Sequence, residues 1–261
     1  MKKRNKRIKS IIPIKEKWEI DLMYVAGHIV AEVLQFLKEN LRPGLTTAEL
    51  DSIAYSEIVR RNALPAFKGY RGYPATLCVS VNQEVVHGIP SSKRVIQRGD
   101  LVSMDLGVIY EGYYGDAAIT AIAGADSDAS AVRLLDVTSA ALDAGIQEAR
   151  PGVHLKDISA AIQAVVEDAG FSVVKQFVGH GIGKALHEPP EIPNYGVRGE
   201  GPVLRPGMVL AIEPMVNMGK SDVLILSDGW TVVTADGSLS AHFEHCVAIT
   251  ENGPLLLTKL D

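Results

Sequence analysis

Cysteine is almost absent from this 261-residue chain, which has only Cys78 and Cys246. Two cysteines cannot make a disulfide framework, and there is no Cys-x-x-Cys pair for a structural zinc site, so a reduced compartment fits. Long apolar runs are also missing, and none approaches the roughly 20 residues a membrane-spanning helix needs. A secretory leader is not expected on similar grounds. The cationic start at residues 1–10 meets only Ile11-Ile-Pro-Ile14 before Lys15, whereas a leader core needs about 7–15 apolar positions. The chain is therefore read as cytoplasmic, with no membrane partner. No Ser/Pro-rich linker divides it, so one domain is expected over 11–258, after a basic tail over 1–10.

Hydrophobic residues at 47% and charged residues at 22% describe an ordinary globular chain, long enough for one large core. The net charge of −5 hides an asymmetry. Six cations and no acids lie in the tail, which leaves 20 basic against 31 acidic residues in the body. A basic arm on an acidic body can touch RNA phosphates. The plainer reading is a solvated, disordered tail.

Two stretches repeat at a fixed offset. Gly99-Asp-Leu-Val-Ser-Met-Asp105 and Gly207-Met-Val-Leu-Ala-Ile-Glu213 each end an apolar run in a carboxylate, 108 residues apart. The same offset links Arg42-Pro-Gly-Leu-Thr-Thr-Ala-Glu-Leu50 to Arg150-Pro-Gly-Val-His-Leu-Lys-Asp-Ile158. A duplicated unit would aim one carboxylate from each half at a common centre.

The periodicities agree with this reading. Helical spacing over 15–39 puts Ile20, Met23, Gly27, Val30, Leu34 and Leu37 on one face. Thr46 or Thr47, with Glu49, caps a second helix to about residue 62. Helices over 129–149 and 155–169 repeat that pair. Strands are expected over 77–81, 101–110, 113–123, 171–178, 203–218, 222–226, 231–234 and 245–250. The sum is an α+β fold with pseudo-two-fold symmetry, a curved antiparallel sheet backed by two helix pairs.

Asp105 and Asp116 flank the predicted hairpin turn Tyr110-Glu-Gly112. With Tyr110-Glu111 at its centre they stand directly opposite, where like charges destabilise a sheet unless a cation lies between them. The competing reading is two exposed carboxylates on a solvated face. The apolar neighbours Met104, Leu106 and Val108 speak against it. Gly179-His-Gly-Ile-Gly183 leaves the His180 imidazole accessible between glycines, and His187 follows seven residues later. Glu213 stands in a strand broken by Pro214, and Glu244 just precedes a strand. An ion-pair role for either glutamate stays open. Four carboxylates and one imidazole form a hard donor set that suits two divalent ions, Mn, Fe, Co or Zn. Such a pair can acidify water and polarise a carbonyl.

Val85-Val-His-Gly-Ile-Pro90, Met104-Asp-Leu-Gly107, Gly112-Tyr-Tyr-Gly-Asp116, Gly179-His-Gly-Ile-Gly183, Ile212-Glu-Pro-Met215 and Phe243-Glu-His245 carry a resemblance. They are similar, in number and order, to the type I methionine aminopeptidases of the bacterial kind, within the M24 metallopeptidases. The resemblance implies the pita-bread fold over about 11–258. It implies removal of the initiator methionine from nascent polypeptides, with a small second residue preferred. It implies that Asp105, Asp116, His180, Glu213 and Glu244 are metal ligands, with Asp116 and Glu244 bridging two ions. His87 would approach the scissile amide, His187 the substrate carbonyl, and Glu213 would shuttle the proton. Tyr70, Tyr73, Cys78 and Trp230 would line the methionine pocket, with ordinary packing as the alternative for each. Leu186 stands where several relatives carry Phe. Cys78 is expected to pack rather than react.

The same fold serves X-Pro aminopeptidases, prolidases and creatinase, which usually carry a further N-terminal domain. Type II methionine aminopeptidases carry an insertion of tens of residues, for which the intervals 179–213 and 213–244 have no room. A non-catalytic binding protein that kept the fold would be expected to lose a ligand, and all five are present. A monomer is the usual state of the fold. Ribosome contact through the basic tail is a compatible extra role.

Overall fold

A computed structural model describes residues 11–124 and 128–260. The basic tail over 1–10, and the ribosome contact expected of it, lie outside the described residues. The first half runs α1 (Lys17–Asn40), α2 (Thr47–Arg60), β1 (Leu64–Pro65), β2 (Leu77–Val81), β3 (Glu84–Val86), β4 (Leu101–Tyr110) and β5 (Tyr113–Ile122). The second runs α3 (Ala129–Glu148), α4 (Leu155–Asp168), β6 (Ser172–Val173), β7 (Gly179–Gly181), β8 (Glu188–Ile192), β9 (Val209–Ile212) and β10 (Met215–Asn217). It continues through β11 (Val223–Ile225), β12 (Val232–Thr234), β13 (Ser240–His242), β14 (His245–Thr250) and β15 (Gly253–Leu256).

The offset of 108 survives folding. Helices α2 and α4 are each 14 residues long, start 108 apart and open on matching capping boxes. Glu49 Oε2 accepts from Thr46 N–H at 2.7 Å, and Asp157 Oδ2 accepts from His154 N–H at 3.0 Å. Strands β4 and β9 also begin 108 apart, as do the isolated bridges Thr46–Val95 and His154–Val203.

Strand β4 is central in the first half, with β5 along one side and β2 and β1 along the other. In the second half the order is β15-β14-β9-β7-β8. The halves join where Glu244 N–H donates to Ala118 O at 2.9 Å and Ala118 N–H returns a longer bond. Strand alternation then sorts the side chains. Met104 and Leu106 enter a core with Leu34, Leu37 and Leu50, and Leu210 and Ile212 enter one with Leu142, Ile158 and Ile162. The residues between them, Asp105 and Ala211, face away from the helices.

Helix α1 is long and apolar enough to cross a membrane by length and composition alone, which the run-length reading did not anticipate. Its apolar stripe of Met23, Gly27, Val30, Leu34 and Leu37 is buried, and the helix packs on β4 and β5, so it is a core helix. The contact is close: a Cβ on Gly115 would lie 2.6 Å from Gly27 N.

Several strand expectations need correction. Only Ser172–Val173 of 171–178 pairs, because Pro-free apolar sequence alone does not supply a partner edge. The stretch 203–218 breaks into β9 and β10 at Glu213-Pro214, where Pro214 has no N–H to give a ladder. Strands β1, β3, β7, β8, β13 and β15 were not expected. All but β8 have four residues or fewer, and β8 reads Glu-Pro-Pro-Glu-Ile.

Candidate metal centre and its cavity

The hairpin places its carboxylates differently from expectation. Glu111 and Gly112 both have positive φ, +47° and +81°, the mark of a two-residue type I′ turn. Tyr110 therefore pairs with Tyr113, Asp105 with Ala118 and Gly107 with Asp116. Asp105 and Asp116 are diagonal neighbours on one face, not directly opposed. A cross-strand row runs Cys78, Asp105, Ala118, Glu244. The small Ala118 leaves the space between Asp105 and Glu244 open, and Asp116, two residues back on β5, borders the same space.

The second half closes it. His180 on β7 pairs with Ala211, which pairs with Cys246, two residues past Glu244. Glu213 is the first residue past β9, and its carbonyl accepts from Asn194 Nδ2 at 3.0 Å. Ligating atoms of Asp116, His180 and Glu244 lie within 4.8 Å of one another. His180 Nε2 stands 3.9 Å from Asp116 Oδ2 and 3.6 Å from Glu213 Oε1. All five expected ligands line one cavity of about 130 Å³.

This cluster is costly without a cation. Burial raises the Asp105 carboxyl to about 7, against the pull of His242, and Glu213 to about 8. Burial, then neighbouring carboxylates, pushes Asp116 and Glu244 well above the usual range. Asp105 Oδ1, Asp116 Oδ1 and Glu244 Oε1 are buried with no hydrogen-bond partner. Burial, and then His187, lowers His180 to about 3, so its ring is neutral. His180 Nδ1 lies 2.9 Å from Gly181 O. A carbonyl only accepts, so Nδ1 carries the hydrogen and Nε2 turns a lone pair to the cavity, as metal-bound histidines do. Orphaned acceptors and a lone pair aimed at one space fit a divalent ion.

Aromatic residues wall the same cavity. Tyr70, Tyr73, Cys78 and Trp230 all line it, together with Leu186 and Phe67. Tyr73 O–H donates to Gly88 O at 2.9 Å, and its ring meets Trp230 edge-on at 5.1 Å. Burial, then Asp105, pushes the Cys78 thiol well up, which makes it a packing group and no nucleophile. His87 has a φ of +61° and sits edge-on to Phe177 and Trp230. Such backbone strain in a non-glycine residue clusters at functional sites. His187 stacks on Tyr70 with its Nδ1 2.9 Å from the Tyr70 hydroxyl, and its ring centre is 4.1 Å from that of His180.

Sequence reasoning missed four residues here. His242 is buried, and its Nε2 stands 3.6 Å from Glu213 Oε2. Its neighbourhood was read only for Glu244. Phe67 and Phe177 sit in loops and Arg71 in a single 3-10 turn, Tyr70–Gly72, all without periodicity; Phe67 and Arg71 line the cavity, and Phe177 packs on His87. The Gly/Tyr-rich composition around Arg71 was the available signal.

The model of the metallopeptidase family M24 matches residues 21–251. The chain belongs to metallopeptidase family M24. Within family M24, a methionine aminopeptidase from Clostridium perfringens is 54% identical over 96% of this chain and 100% of its own. A crystal structure of methionine aminopeptidase from Thermotoga maritima superposes with a TM-score of 0.94 at 48% identity, over 96% of this chain and all of that one. A prolidase from Pyrococcus furiosus shares the fold at 25% identity and a TM-score of 0.78, but 95% of this chain covers only 66% of it. The architecture is the α+β pita-bread fold, and membership of a metallopeptidase family accords with divalent metal at the buried Asp–His–Glu cluster.

Proposed function

We propose that this protein is a methionine aminopeptidase that hydrolyses the initiator methionine from polypeptides whose second residue is small. The observation that carries the reading is one cavity shared by a buried Asp105–Asp116–His180–Glu213–Glu244 cluster and an apolar, aromatic wall. The catalytic unit is one domain, residues 11–258, acting as a cytoplasmic monomer on nascent N-termini, with the basic tail as the point of ribosome contact.

The five side chains Asp105, Asp116, His180, Glu213 and Glu244 would hold two divalent ions, drawn from Co, Mn, Fe or Zn. Bound there, the ions would supply Lewis acidity to the scissile carbonyl and make water reactive near neutral pH. The protein's own groups do the rest. Tyr70, Tyr73, Cys78 and Trp230 receive the methionine side chain, a flexible thioether that suits apolar and aromatic walls. Glu213 takes a proton from the attacking water and returns it to the leaving amine. His187, held near 4 by burial and by Arg71, is neutral. Its Nδ1 lies 2.9 Å from the Tyr70 hydroxyl, and in the tautomer where that hydroxyl donates, the proton on Nε2 hydrogen-bonds the substrate carbonyl oxygen. His87, lowered to about 4 by burial, is also neutral and approaches the scissile amide nitrogen.

The test is a cleavage assay on Met-Gly-X and Met-Leu-X peptides after chelation and metal add-back. The reading expects metal-dependent release of methionine from the first and little from the second. Metal-independent cleavage, or equal cleavage of both, would reject it.

A further inference from the structure

Arg71 stands between two spaces. It lines the cavity that holds the carboxylate cluster and also a broader groove of about 1040 Å³. The groove meets the cavity at His180 and His187, so on the proposed function a substrate with its methionine in the cavity sends its following residues along the groove. Arg71 has a φ of +49°, a left-handed conformation rare for a side chain of this size, which projects it at the junction. Its guanidinium rests over the Tyr70 ring at 5.2 Å, and among the described residues it has no carboxylate partner.

The other charges of the groove are Arg205, Glu188 and Glu191. Glu188 is already neutralised, since its Oε2 accepts from Lys15 Nζ at 2.7 Å. Two cations therefore face one free anion, in a chain whose body is otherwise acidic.

We propose that Arg71 is a specificity-determining residue that favours polypeptides with an acidic side chain at the third or fourth position. The inference rests on the aminopeptidase reading and adds to it a preference beyond the second residue. The arginine pairs with the carboxylate after binding and before any bond breaks. Its contribution is the same in ground and transition states, so it shows in KM rather than kcat.

The metal-loaded enzyme is assayed on Met-Ala-Glu-Ser, Met-Ala-Gln-Ser and Met-Ala-Lys-Ser amides, and on the same set with the variable residue fourth. Wild type is expected to prefer Glu over Gln by about fivefold in kcat/KM at one of these positions, the factor an exposed ion pair supplies. Salt is expected to shrink the ratio. Arg71→Gln should bring it to one, Arg71→Glu should invert it, and Arg71→Lys should keep most of it. Ratios between substrates cancel any loss of folded enzyme or change at His187. Equal ratios in wild type and Arg71→Gln, or no preference in wild type, would overturn the proposal. Failure of wild type to cleave the Gln peptide at all would instead overturn the aminopeptidase reading, and this proposal with it.

Discussion

Removing metal should leave a protein that loses stability as pH rises. The perturbation is chelation, which strips the cluster of any cation and leaves Asp105, Asp116, Glu213 and Glu244 facing one another. The sign follows from the direction of the shifts. A carboxyl raised in the folded state keeps its proton there, so its stabilising contribution is full below the unfolded value and is lost as pH climbs through the folded one. Asp105 runs from 3.8 to about 7 and Glu213 from 4.5 to about 8. His87, His180 and His187 act oppositely. They are depressed from 6.5 to about 4, 3 and 4, so their contribution is full above 6.5 and lost only as pH falls. The window from about pH 7.5 to about pH 8.5, a unit above the ordinary histidine value, therefore isolates the carboxylates. Across it Asp105 and Glu213 together lose on the order of 1 kcal/mol. For a chain of this size that lowers the urea midpoint by about 0.3 M. The assay is urea unfolding of chelated protein across that range, with and without added Mn. The chelated protein should soften with pH and the metal-loaded protein should not. A chelated midpoint that is flat or rises over this window would refute the electrostatic reasoning about the cluster.

Replacing one ligand should have a different signature from general destabilisation. Asp105→Ala or Glu244→Ala is expected to abolish methionine release while the metal-free protein becomes more stable at about pH 8.5, since a costly buried charge is gone; near-normal turnover would refute the assignment. Lys15 and Glu188, the residue directly after His187, form a buried pair, with side chains 5% and 11% exposed. Lys15→Met should cost about 3–5 kcal/mol in urea unfolding by stranding Glu188, and adding Glu188→Gln should recover part of it. Gly115→Ala drives a Cβ to 2.6 Å from the α1 backbone at Gly27. It should cost about 1–3 kcal/mol in thermal unfolding, and a neutral result would show that α1 and β5 are not so tightly docked.

The parts of the fold that were legible in the sequence are those written in local chemistry. The α2 start is spelled by Thr46 and Glu49, and its copy by His154 and Asp157, because a cap is a contact between residues three apart. The 108-residue offset proved structural, since it sets α2 against α4 and β4 against β9. Apolar alternation around Asp105 gave its strand to the residue. The hairpin's turn centre was off by one residue, and its pairing register by two, because composition does not say which pair of Tyr110-Glu-Gly112 takes positive φ. That slip moved Asp116 from opposite Asp105 to diagonal, with Ala118 and Glu244 in the row instead. Strand β7 could not be read because Gly-His-Gly has no strand propensity, and only pairing with β9 holds it extended. His242 was passed over for a related reason. Its role depends on Glu213 arriving 3.6 Å away, and nothing near it in sequence announces that. The five carboxylate and imidazole residues were singled out from their strands and neighbours, whereas the pocket residues were reached through motif resemblance, which carries three-dimensional information that spacing alone does not.

The most direct test of the central claim is calorimetric titration of Mn into chelated protein, comparing wild type with the Asp116→Asn, Glu244→Gln double variant. The account predicts two equivalents taken up by wild type and none by the variant, although the variant remains folded. Undiminished uptake by the variant would place the metal elsewhere and contradict the account.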